Sequence, residues 1–277
     1  MTSERLSVTF WGVRGSIPCP GPTTVRYGGN TPCLEVRAAD RLMIFDAGTG
    51  LLPLGRALAA PGTPIEADWY FTHTHFDHIQ GIPFFSPFYD KNNRFRLWAG
   101  HLAPEMNLKD VLSNMMQAPL FPIPIEIFGA DVSYTDFALG KTLNPAPGVT
   151  IRTAALNHPN RATGYRVEVA GKSLCYVTDT EHVPGKPDAN ILGLIKDADL
   201  VIYDSTYTDA EFSGHVGWGH STWQEGVRLV TQAGAKRLVI FHHDPSHDDQ
   251  FMDRIAAEAA AMRPGTIVAR EGETISL

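Results

Sequence analysis

The fold is decided by the stretch ADWYFTHTHFDH, residues 67–78, in which an apolar run ends in a cluster of polar side chains. Its first six residues have the pattern of a buried strand that delivers the cluster at its carboxyl end. Residues two apart in extended backbone point to the same side, so His73 and His75 can bind one ion. Asp77 and His78, past the bend, can serve a second ion. Imidazole and carboxylate ligands without thiolate suit Zn, Mn or Fe.

The chain as a whole has an ordinary globular composition, with 277 residues, 43% of them hydrophobic and 19% charged. This length suits one large domain or two halves that share a core, and it needs no structural metal to fold. We therefore predict one domain over residues 1–277 and expect any bound metal to be functional. The net charge of −7 offers no surplus of Lys and Arg, which disfavours a nucleic-acid partner but is compatible with a small anionic substrate.

The amino terminus and the cysteines bear on where the protein works. Residues 1–5 lead straight into a strand-like run, without the basic and apolar segments of a signal peptide. No apolar stretch approaches the length of a membrane span, so no membrane partner is expected. The three widely spaced cysteines, Cys19, Cys33 and Cys175, fit a reducing compartment better than a disulfide framework. The expected location is the cytoplasm.

Runs rich in β-branched and aromatic residues, bounded by Gly, Pro or Asp, predict a series of short strands. The predicted strands are Ser7–Val13, Cys33–Ala38, Arg41–Asp46, Ala67–Thr72, Val149–Leu156, Gly164–Val169, Ser173–Thr178, Leu200–Asp204 and Arg237–Phe241. The predicted helices are Leu51–Ala59, Leu108–Gln117, Thr222–Ala233 and Asp248–Met262. This order predicts an α+β fold in which two packed sheets are covered by helices. The Pro- and aromatic-rich segment at about 84–131 is a candidate insertion that caps the substrate.

The pattern H-x-H-x-D-H after a strand resembles the signature of the metallo-β-lactamase superfamily. The resemblance implies a four-layer αββα sandwich with a site for two divalent metal ions at one edge, zinc being expected and Mn or Fe the alternatives. It also implies three ligands beyond the motif. A lone histidine at a strand end is matched by His158, an aspartate that bridges both metals by Asp179, and a histidine closing a late strand by His242. The adjacent His243 is a rival for the last position.

Asp46, in the sequence Phe45-Asp46-Ala47-Gly48, matches a buried Asp-x-Gly loop beneath the metal site of this superfamily. The resemblance implies that its carboxylate holds the tautomer and orientation of a ligand histidine. An ordinary turn after a strand, with Asp bonded to its own backbone, is the alternative interpretation.

A second stretch indicates one branch of the superfamily. The strings YDSTY, from residue 203, and GHST, from residue 219, resemble the phosphodiesterase branch that includes tRNase Z. The resemblance implies that Asp204 orients His220, which donates a proton to the departing alkoxide, and these two residues with Asp77 form the expected catalytic set. The tRNase Z pattern has Glu where Asp204 stands. The alternative is that His220 only caps a helix beginning near Thr222, with Ser221 as the N-cap.

Four further residues are candidate substrate contacts. Glycines surround His215 and Trp218, which predicts a flexible loop over the mouth of the site, with ordinary loop packing of the two side chains as the alternative to substrate contact. Arg161 is placed to contact a phosphate, with a surface salt bridge as the alternative. His243 belongs to this group if His242 is the last ligand.

Together these features predict a dinuclear metal-dependent hydrolase of a small or cyclic phosphodiester, with a hydroxide that bridges the two metals as the nucleophile. A thioester, lactone or other acyl hydrolase on the same site is the alternative, and a metal-bound domain without enzymatic activity is the third hypothesis. Processing of tRNA 3′ ends is less favoured, because residues 84–131 are neither strongly basic nor rich in Gly. The expected partner is a small-molecule phosphodiester, and a homodimer is an expectation at the family level only.

Overall fold

Two seven-stranded sheets form the centre of the protein in a computed structural model that describes residues 6–277. The strands are β1 (Leu6–Gly12), β2 (Cys33–Ala38), β3 (Arg41–Phe45), β4 (Glu66–Phe71), β5 (Arg94–Ala99), β6 (Asp131–Asp136), β7 (Thr142–Ala146), β8 (Val149–Leu156), β9 (Ala162–Val169), β10 (Lys172–Val177), β11 (Leu200–Asp204), β12 (Leu238–Phe241), β13 (Ile267–Val268) and β14 (Thr274–Ser276). The α-helices are α1 (Leu51–Ala59), α2 (Phe76–Ile79), α3 (Leu108–Met115), α4 (Ala189–Ile195), α5 (Asp209–Phe212), α6 (Trp223–Gln232) and α7 (Asp249–Met262). Sheet 1 has the order β14-β1-β2-β3-β4-β5-β6, and sheet 2 has the order β13-β12-β11-β10-β9-β8-β7.

Three hydrophobic clusters hold these elements in four layers. The first fills the space between the sheets, where Leu6, Val8 and Phe10 of β1 belong to the same cluster as Tyr176 and Phe241 of sheet 2. The second packs α4, α6 and α7 on the outer face of sheet 2, and the third packs α1 and α3 on the outer face of sheet 1. Burial of these faces is the main favourable term in folding. The predicted αββα sandwich is confirmed. No helix within residues 6–277 is long and apolar enough to cross a membrane.

Each sheet contains a run of parallel strands, β3 to β6 in sheet 1 and β10 to β13 in sheet 2. Polar residues follow the carboxyl ends of several of these strands: Asp46 after β3, His73 after β4, Asp179 after β10 and His242 after β12. Carboxyl ends of parallel strands lie at the same edge of a sheet, and this edge is where α/β proteins place their sites. The fold therefore brings these side chains to one region.

The predicted elements are all present, with ends that differ by at most two residues. The strands missed by prediction are β5, β6, β7, β13 and β14, and the missed helices are α2, α4 and α5. The last two strands contain only two and three residues, too few to show a period. The missed helices have four to seven residues, below the length at which a helical pattern becomes readable.

Residues 84–131, predicted as an insertion that caps the substrate, contain a strand of sheet 1. β5 lies inside it and pairs in parallel with β4 and β6, so residues 94–99 belong to sheet 1. Part of the remainder also joins the core, since Leu108, Leu112, Met116 and Ile125 pack in the cluster on the outer face of this sheet. A capping role for the rest of the segment stays a prediction.

Candidate active site

Seven imidazole and carboxylate side chains converge at the shared edge of the two sheets. They fall into two groups, the first formed by His73, His75 and His158 and the second by Asp77, His78, Asp179 and His242. Within each group the donor atoms lie within 4.8 Å of one another. All seven residues predicted as ligands are therefore brought together, although they come from loops far apart in the sequence.

Asp179 lies between the two groups and approaches both. Its Oδ1 is 3.8 Å from Nε2 of His73 and 3.8 Å from Nε2 of His158. The same oxygen is 3.4 Å from Nε2 of His242, and Oδ2 is 3.3 Å from Nε2 of His78. One carboxylate thus faces donors from both groups, as a residue shared by two cations must.

Several donor atoms have no hydrogen-bonding partner of their own. Among residues 6–277, the buried nitrogens without one include Nε2 of His73, His78 and His242. The Nε2 atoms of His78 and His242 each lie 3.3 Å from Oδ2 of Asp77. Groups whose lone pairs face one another need a proton or a cation between them. Because buried polar atoms are otherwise almost always satisfied, this donor set fits divalent cations.

The charge states of His73, Asp77 and Asp179 also suit a cation. Burial alone would lower the pKa of His78, but the surrounding carboxylates raise it well above its usual range, so a cation there would replace a proton. Burial and the neighbouring imidazole of His78 hold the pKa of His73 well below its usual range, so this ring is neutral and keeps a lone pair. Burial alone would raise the pKa of Asp77 and Asp179, but the surrounding imidazoles lower it well below the usual range. Neutral imidazoles and ionised carboxylates are the forms that coordinate metals.

Asp46 is a fully buried carboxylate beneath the donors of sheet 1. Its Oδ2 accepts hydrogen bonds from Nδ1 of His78 and from the hydroxyl of Tyr176, both at 2.9 Å. The backbone N–H of Thr72 donates to Oδ1 at 2.8 Å, and the Thr72 hydroxyl lies 3.1 Å from Nδ1 of His73. A carboxylate partner keeps the proton of His78 on Nδ1 and leaves the lone pair on Nε2. Because Asp46 contacts a candidate ligand histidine, a plain turn is not a full account of this residue.

His242 is oriented from sheet 2 in a comparable way. The hydroxyl of Thr206 donates to Oδ1 of Asp204 at 2.7 Å and lies 3.0 Å from Nδ1 of His242. Because the hydroxyl gives its one proton to the carboxylate, it accepts the Nδ1 proton of the imidazole. The lone pair of His242 then remains on Nε2. The sequence assigned no role to Thr206, since a hydroxyl that bridges two side chains has no local signature.

Three residues of the site leave their strands through left-handed backbone. The φ angles of Asp46, Asp179 and His242 are 58°, 59° and 64°. A residue with a Cβ atom in this region costs about 1–2 kcal/mol relative to ordinary backbone. The conformation turns the chain sharply at the strand end and directs each side chain into the site.

The loop after β1 closes one side of the site. The backbone N–H of Ser16 donates to Oδ2 of Asp77 at 2.8 Å. Gly15 packs so closely on His242 that a Cβ atom there would lie 2.5 Å from Nδ1 of the ring. The buried guanidinium of Arg14 fastens the loop through four hydrogen bonds to backbone carbonyls. None of these contacts was predicted, because backbone N–H groups and close packing leave no motif.

The predicted proton donor His220 lies beside the second donor group. Its Nδ1 donates to Oδ2 of Asp204 at 3.0 Å, and its ring stacks on that of His242 with centroids 4.9 Å apart. Burial alone would lower the pKa of His220, but the carboxylate of Asp204 raises it to about 9. The imidazole is therefore protonated at neutral pH. The shorter side chain of Asp, in place of Glu, still reaches the histidine.

The alternative role of His220 as part of a helix cap is wrong. The N-cap of α6 is Thr222, whose hydroxyl accepts a hydrogen bond from the backbone N–H of Glu225 at 3.1 Å. Ser221, the expected N-cap, instead accepts a hydrogen bond from the hydroxyl of Tyr203 at 2.9 Å. Since the cap is complete without it, His220 is free to serve the site.

The Gly-rich loop before His220 is tied down, contrary to the predicted flexibility. One carboxylate oxygen of Glu181 accepts hydrogen bonds from the backbone N–H groups of Gly217 at 2.7 Å and Gly219 at 2.8 Å. The carbonyl of Gly219 accepts a hydrogen bond from Nδ1 of His158 at 2.8 Å. The two glycines have φ angles of 90° and 87°, so they serve a left-handed backbone rather than mobility.

Two of the candidate substrate contacts, His215 and Trp218, lie in this loop, and a third, Arg161, lies beyond His158. Trp218 is 63% exposed, and the ring of His215 lies against it with centroids 5.1 Å apart. Arg161 forms a salt bridge with Glu105, as its alternative interpretation expected. The guanidinium is thus already engaged by a carboxylate.

His243 is neither a ligand nor a substrate contact, and both assignments are wrong. The residue is fully buried and its Nε2 donates to the carbonyl of Ala269 at 2.9 Å. It belongs to neither donor group, whereas the adjacent His242 does. The left-handed backbone at His242 decides which of the two imidazoles enters the site, and adjacent histidines carry no sign of that choice.

Two sheets, outer helices and clustered donors at the strand ends define a known class of metal-binding hydrolases. Residues 41–243, which include both donor groups, match the model of the beta-lactamase superfamily domain. The chain belongs to this superfamily and is a hydrolase of the metallo-β-lactamase type.

Individual relatives refine this result. Ribonuclease Z of Halorubrum lacusprofundi is 25% identical over 323 residues, covering 98% of this chain and 94% of that protein. The metallo-β-lactamase fold protein YhfI from Bacillus subtilis superposes with a TM-score of 0.76 at 17% identity, over 99% of this chain and 100% of that chain. The short form of human tRNase Z superposes with a TM-score of 0.67 at 20% identity, over 97% and 98%. The structural likenesses show the fold, and the resemblance to the branch that includes tRNase Z is confirmed.

Proposed function

We propose that the protein is a dinuclear metal-dependent phosphodiesterase acting on a small or cyclic phosphodiester. The observation that carries the proposal is the hydrogen-bonded pair of Asp204 and His220. The pair lies against a site in which the carboxylate of Asp179 faces donors of both groups. Cleavage of a phosphodiester develops charge on the phosphate oxygens and requires a proton for the departing alkoxide. The site offers a means for each.

The two donor groups would hold one divalent cation each. His73, His75 and His158 would bind the first, Asp77, His78 and His242 the second, and Asp179 would be shared. Donors of this kind fit zinc, with Mn and Fe as alternatives. When bound, the cations would lower the pKa of a water molecule towards neutrality and neutralise charge on the phosphate oxygens.

The remaining chemistry belongs to the side chains of the chain itself. Asp204 holds Nδ1–H of His220 and stabilises the imidazolium, so the Nε2 proton is the one that passes to the departing oxygen. Asp46 keeps His78 in the tautomer that leaves its Nε2 lone pair available, and the backbone N–H of Ser16 fixes the carboxylate of Asp77.

The name of the ribonuclease Z relatives makes RNA the second candidate substrate and weakens the prediction that nucleic acid is unlikely. The charges of this chain favour a small substrate. Residues 84–131 contain four basic and five acidic residues, namely Lys91, Arg94, Arg96 and Lys109 against Asp90, Glu105, Asp110, Glu126 and Asp131. Arg94 and Arg96 already form salt bridges with carboxylates. A polynucleotide partner would need Lys and Arg free to neutralise several phosphates.

The acyl hydrolase hypothesis keeps the cations and changes the bond that is cleaved. A thiolate leaves without needing a proton, so a thioesterase would have little use for a protonated His220 held by Asp204. The hydrogen bond between Asp204 and His220 therefore argues against a thioester and for a substrate with a poor leaving group.

The test is turnover of bis(p-nitrophenyl) phosphate, cyclic nucleotides and a thioester by zinc-loaded protein. His220→Ala should lower kcat on cyclic nucleotides, whose departing alkoxide needs a proton, by about 10²- to 10⁴-fold. The loss on bis(p-nitrophenyl) phosphate should be much smaller, because nitrophenolate leaves without a proton, and elemental analysis should still find two metal ions per chain. Val216→Ala, an exposed position in the same loop, is the matched control. Absence of phosphodiester turnover at full metal occupancy would defeat the proposal. Thioester turnover that is indifferent to His220→Ala would favour the acyl hydrolase.

A further inference from the structure

We infer that Trp218 is a stacking platform for an aromatic ring on the alcohol that leaves the phosphate, and that Glu181 is the positioning residue that holds this platform. The inference rests on the proposed phosphodiesterase function and adds a substrate class to it. The substrate is a phosphodiester whose departing alcohol carries a nucleobase or another planar ring.

The first support is the way the backbone around Trp218 is held. A single oxygen of Glu181 accepts the N–H groups of Gly217 and Gly219, the residues immediately before and after the tryptophan. Glu181 is itself fastened to Asn157, since its N–H donates to the Asn157 carbonyl at 2.7 Å and its carbonyl accepts from the Asn157 side-chain amide at 2.7 Å. Hydrogen bonds to a carboxylate are stronger than neutral ones. The tryptophan backbone is thus fixed relative to the loop that carries His158.

The second support is that the indole is braced on one side and open to solvent on the rest. Trp218 is 63% exposed, whereas Trp223 nearby is 1% exposed. The ring of His215 packs against the indole in a T-shaped arrangement at 5.1 Å and 85°, and His215 stacks on Tyr207 at 4.1 Å and 19°. His215 is also held by a hydrogen bond from its Nδ1 to the carbonyl of Glu211 at 2.9 Å. A rigid exposed aromatic ring offers a large contact area at little entropic cost.

The third support is the position of this ring relative to the proton donor. The carbonyl of Gly219 binds His158, and His220 follows directly in the chain. His220 gives its proton to the departing oxygen, so the group attached to that oxygen lies on the His220 side of the site. Arg161, the exposed cation predicted for substrate binding, is paired with Glu105. This loop therefore offers an aromatic face to the departing alcohol.

The decisive measurement compares two substrates that differ only in the ring. Adenosine 2′,3′-cyclic phosphate and the methyl riboside 2,3-cyclic phosphate share the reacting group, and only the first carries a base. In Trp218→Ala the ratio of their kcat/KM values should fall about tenfold, within the range for one base stacked on one aromatic side chain. Trp218→Phe should keep most of the ratio. Val216→Ala, also 63% exposed in this loop, should not change it. An unchanged ratio in Trp218→Ala overturns the inference.

The two sources of a planar ring are separated by a third substrate. Bis(p-nitrophenyl) phosphate carries aryl rings and no base. A loss of kcat/KM in Trp218→Ala that Trp218→Phe restores, for both adenosine and aryl substrates, supports recognition of aromatic alcohols in general. A loss confined to the adenosine substrate supports a nucleobase.

The role of Glu181 has its own variants. Glu181→Ala removes the acceptor of both glycine N–H groups and should lower the ratio of base-bearing to abasic turnover, while Glu181→Gln keeps an oxygen acceptor and should restore most of it. Metal content and thermal melting serve as checks on the fold. A purely structural defect would slow both substrates alike and leave the ratio unchanged, which would overturn the assignment of Glu181.

Failure of the platform can be told from failure of the proposed function. If zinc-loaded wild type cleaves none of the three diesters, the phosphodiesterase proposal has failed. The role of Trp218 as a stacking platform is then tested by ligand binding alone. Adenosine 5′-monophosphate should then quench tryptophan fluorescence, ribose 5-phosphate should not, and Trp218→Phe should abolish the quenching. Equal quenching in Trp218→Phe overturns the inference.

Discussion

The two sheets have the same pattern of pairing, three antiparallel and three parallel contacts each, yet they supply the site in different ways. Sheet 1 delivers four donors from the single segment after β4, whereas sheet 2 delivers one donor after each of β8, β10 and β12. The contribution of sheet 1 depends on the local path of one loop. The contribution of sheet 2 depends on the register between neighbouring strands, since Val177 lies opposite Tyr203 and Tyr203 opposite Ile240.

The largest effect is expected at Asp179, which comes from sheet 2 and faces donors of both sheets. Asp179→Ala should reduce the metal content from two ions to fewer than one per chain and lower kcat by about 10³-fold, because several kcal/mol of charge stabilisation are lost. Elemental analysis and steady-state kinetics check this. Asp199→Ala is the control, because this residue precedes the amino end of β11 and the donors follow the carboxyl ends of their strands; it should retain both ions. Retention of both ions in Asp179→Ala would show that the two donor groups bind their cations independently of this carboxylate.

The second prediction concerns the proton donor, which only sheet 2 supports. Asp204 raises the pKa of His220 to about 9, so activity that needs the protonated ring should persist through neutral pH and fall as the pH rises through that region. Asp204→Asn keeps a hydrogen-bond acceptor but loses the charge. Its alkaline decline should begin at lower pH, and kcat at pH 8 should fall by about 10²-fold. A pH profile of kcat that is the same in both proteins would contradict this.

The third prediction compares the two sheets directly through the groups that orient their histidines. Asp46→Asn disturbs two of the candidate ligand histidines, His78 and, through Thr72, His73. Thr206→Val disturbs only one of them, His242, and also removes a hydrogen bond to Asp204. Loss of such a partner lowers metal affinity by about 10- to 100-fold. We expect the Asp46 variant near the upper end of this range and the Thr206 variant near the lower end. Competition with a zinc chelator measures both, and a reversed order would place the stronger support in sheet 2.

The smallest effect is expected outside the site, where sheet 2 meets its helix layer. Thr222→Ala removes the N-cap of α6 and should lower the free energy of unfolding by about 1 kcal/mol. Denaturant unfolding of the metal-loaded protein checks this, with Thr231→Ala near the end of the same helix as the control. A loss of metal in the Thr222 variant would mean that the cap also shapes the site.

The same difference between the sheets explains how much of the protein could be predicted. The two packed sheets could be predicted from the order of strands and helices, and the four-layer arrangement from the family resemblance. The first four donors could be predicted from the cluster that follows the apolar strand, in which the spacing of His73 and His75 places both on one side of extended backbone. The later donors could be proposed only through the family resemblance. The pairing that brings His158, Asp179 and His242 together is antiparallel from β8 to β10 and parallel from β10 to β12, and no local pattern encodes it.

The residues that orient the donors, and the path of the Gly-rich loop, could not be predicted because each depends on single contacts. The hydroxyl of Thr206, the phenol of Tyr176 and the backbone N–H of Ser16 act through one hydrogen bond each, and such bonds leave no period or motif. Glu181 contacts two glycine N–H groups whose approach is set by the left-handed backbone of the loop. The choice of His242 over His243 is likewise a matter of one φ angle.

The left-handed backbone at Asp46, Asp179 and His242 has a consequence for the protein stripped of its cations. Three such residues together disfavour the native conformation by about 3–6 kcal/mol, and facing carboxylates add mutual repulsion. The free energy of cation binding offsets this unfavourable term at the shared edge of the sheets. The hydrophobic layers between and outside the sheets are unaffected. Demetallation should therefore open the strand ends as a local unit, visible as faster hydrogen exchange of the amides that follow β3, β10 and β12, well before the sandwich itself melts.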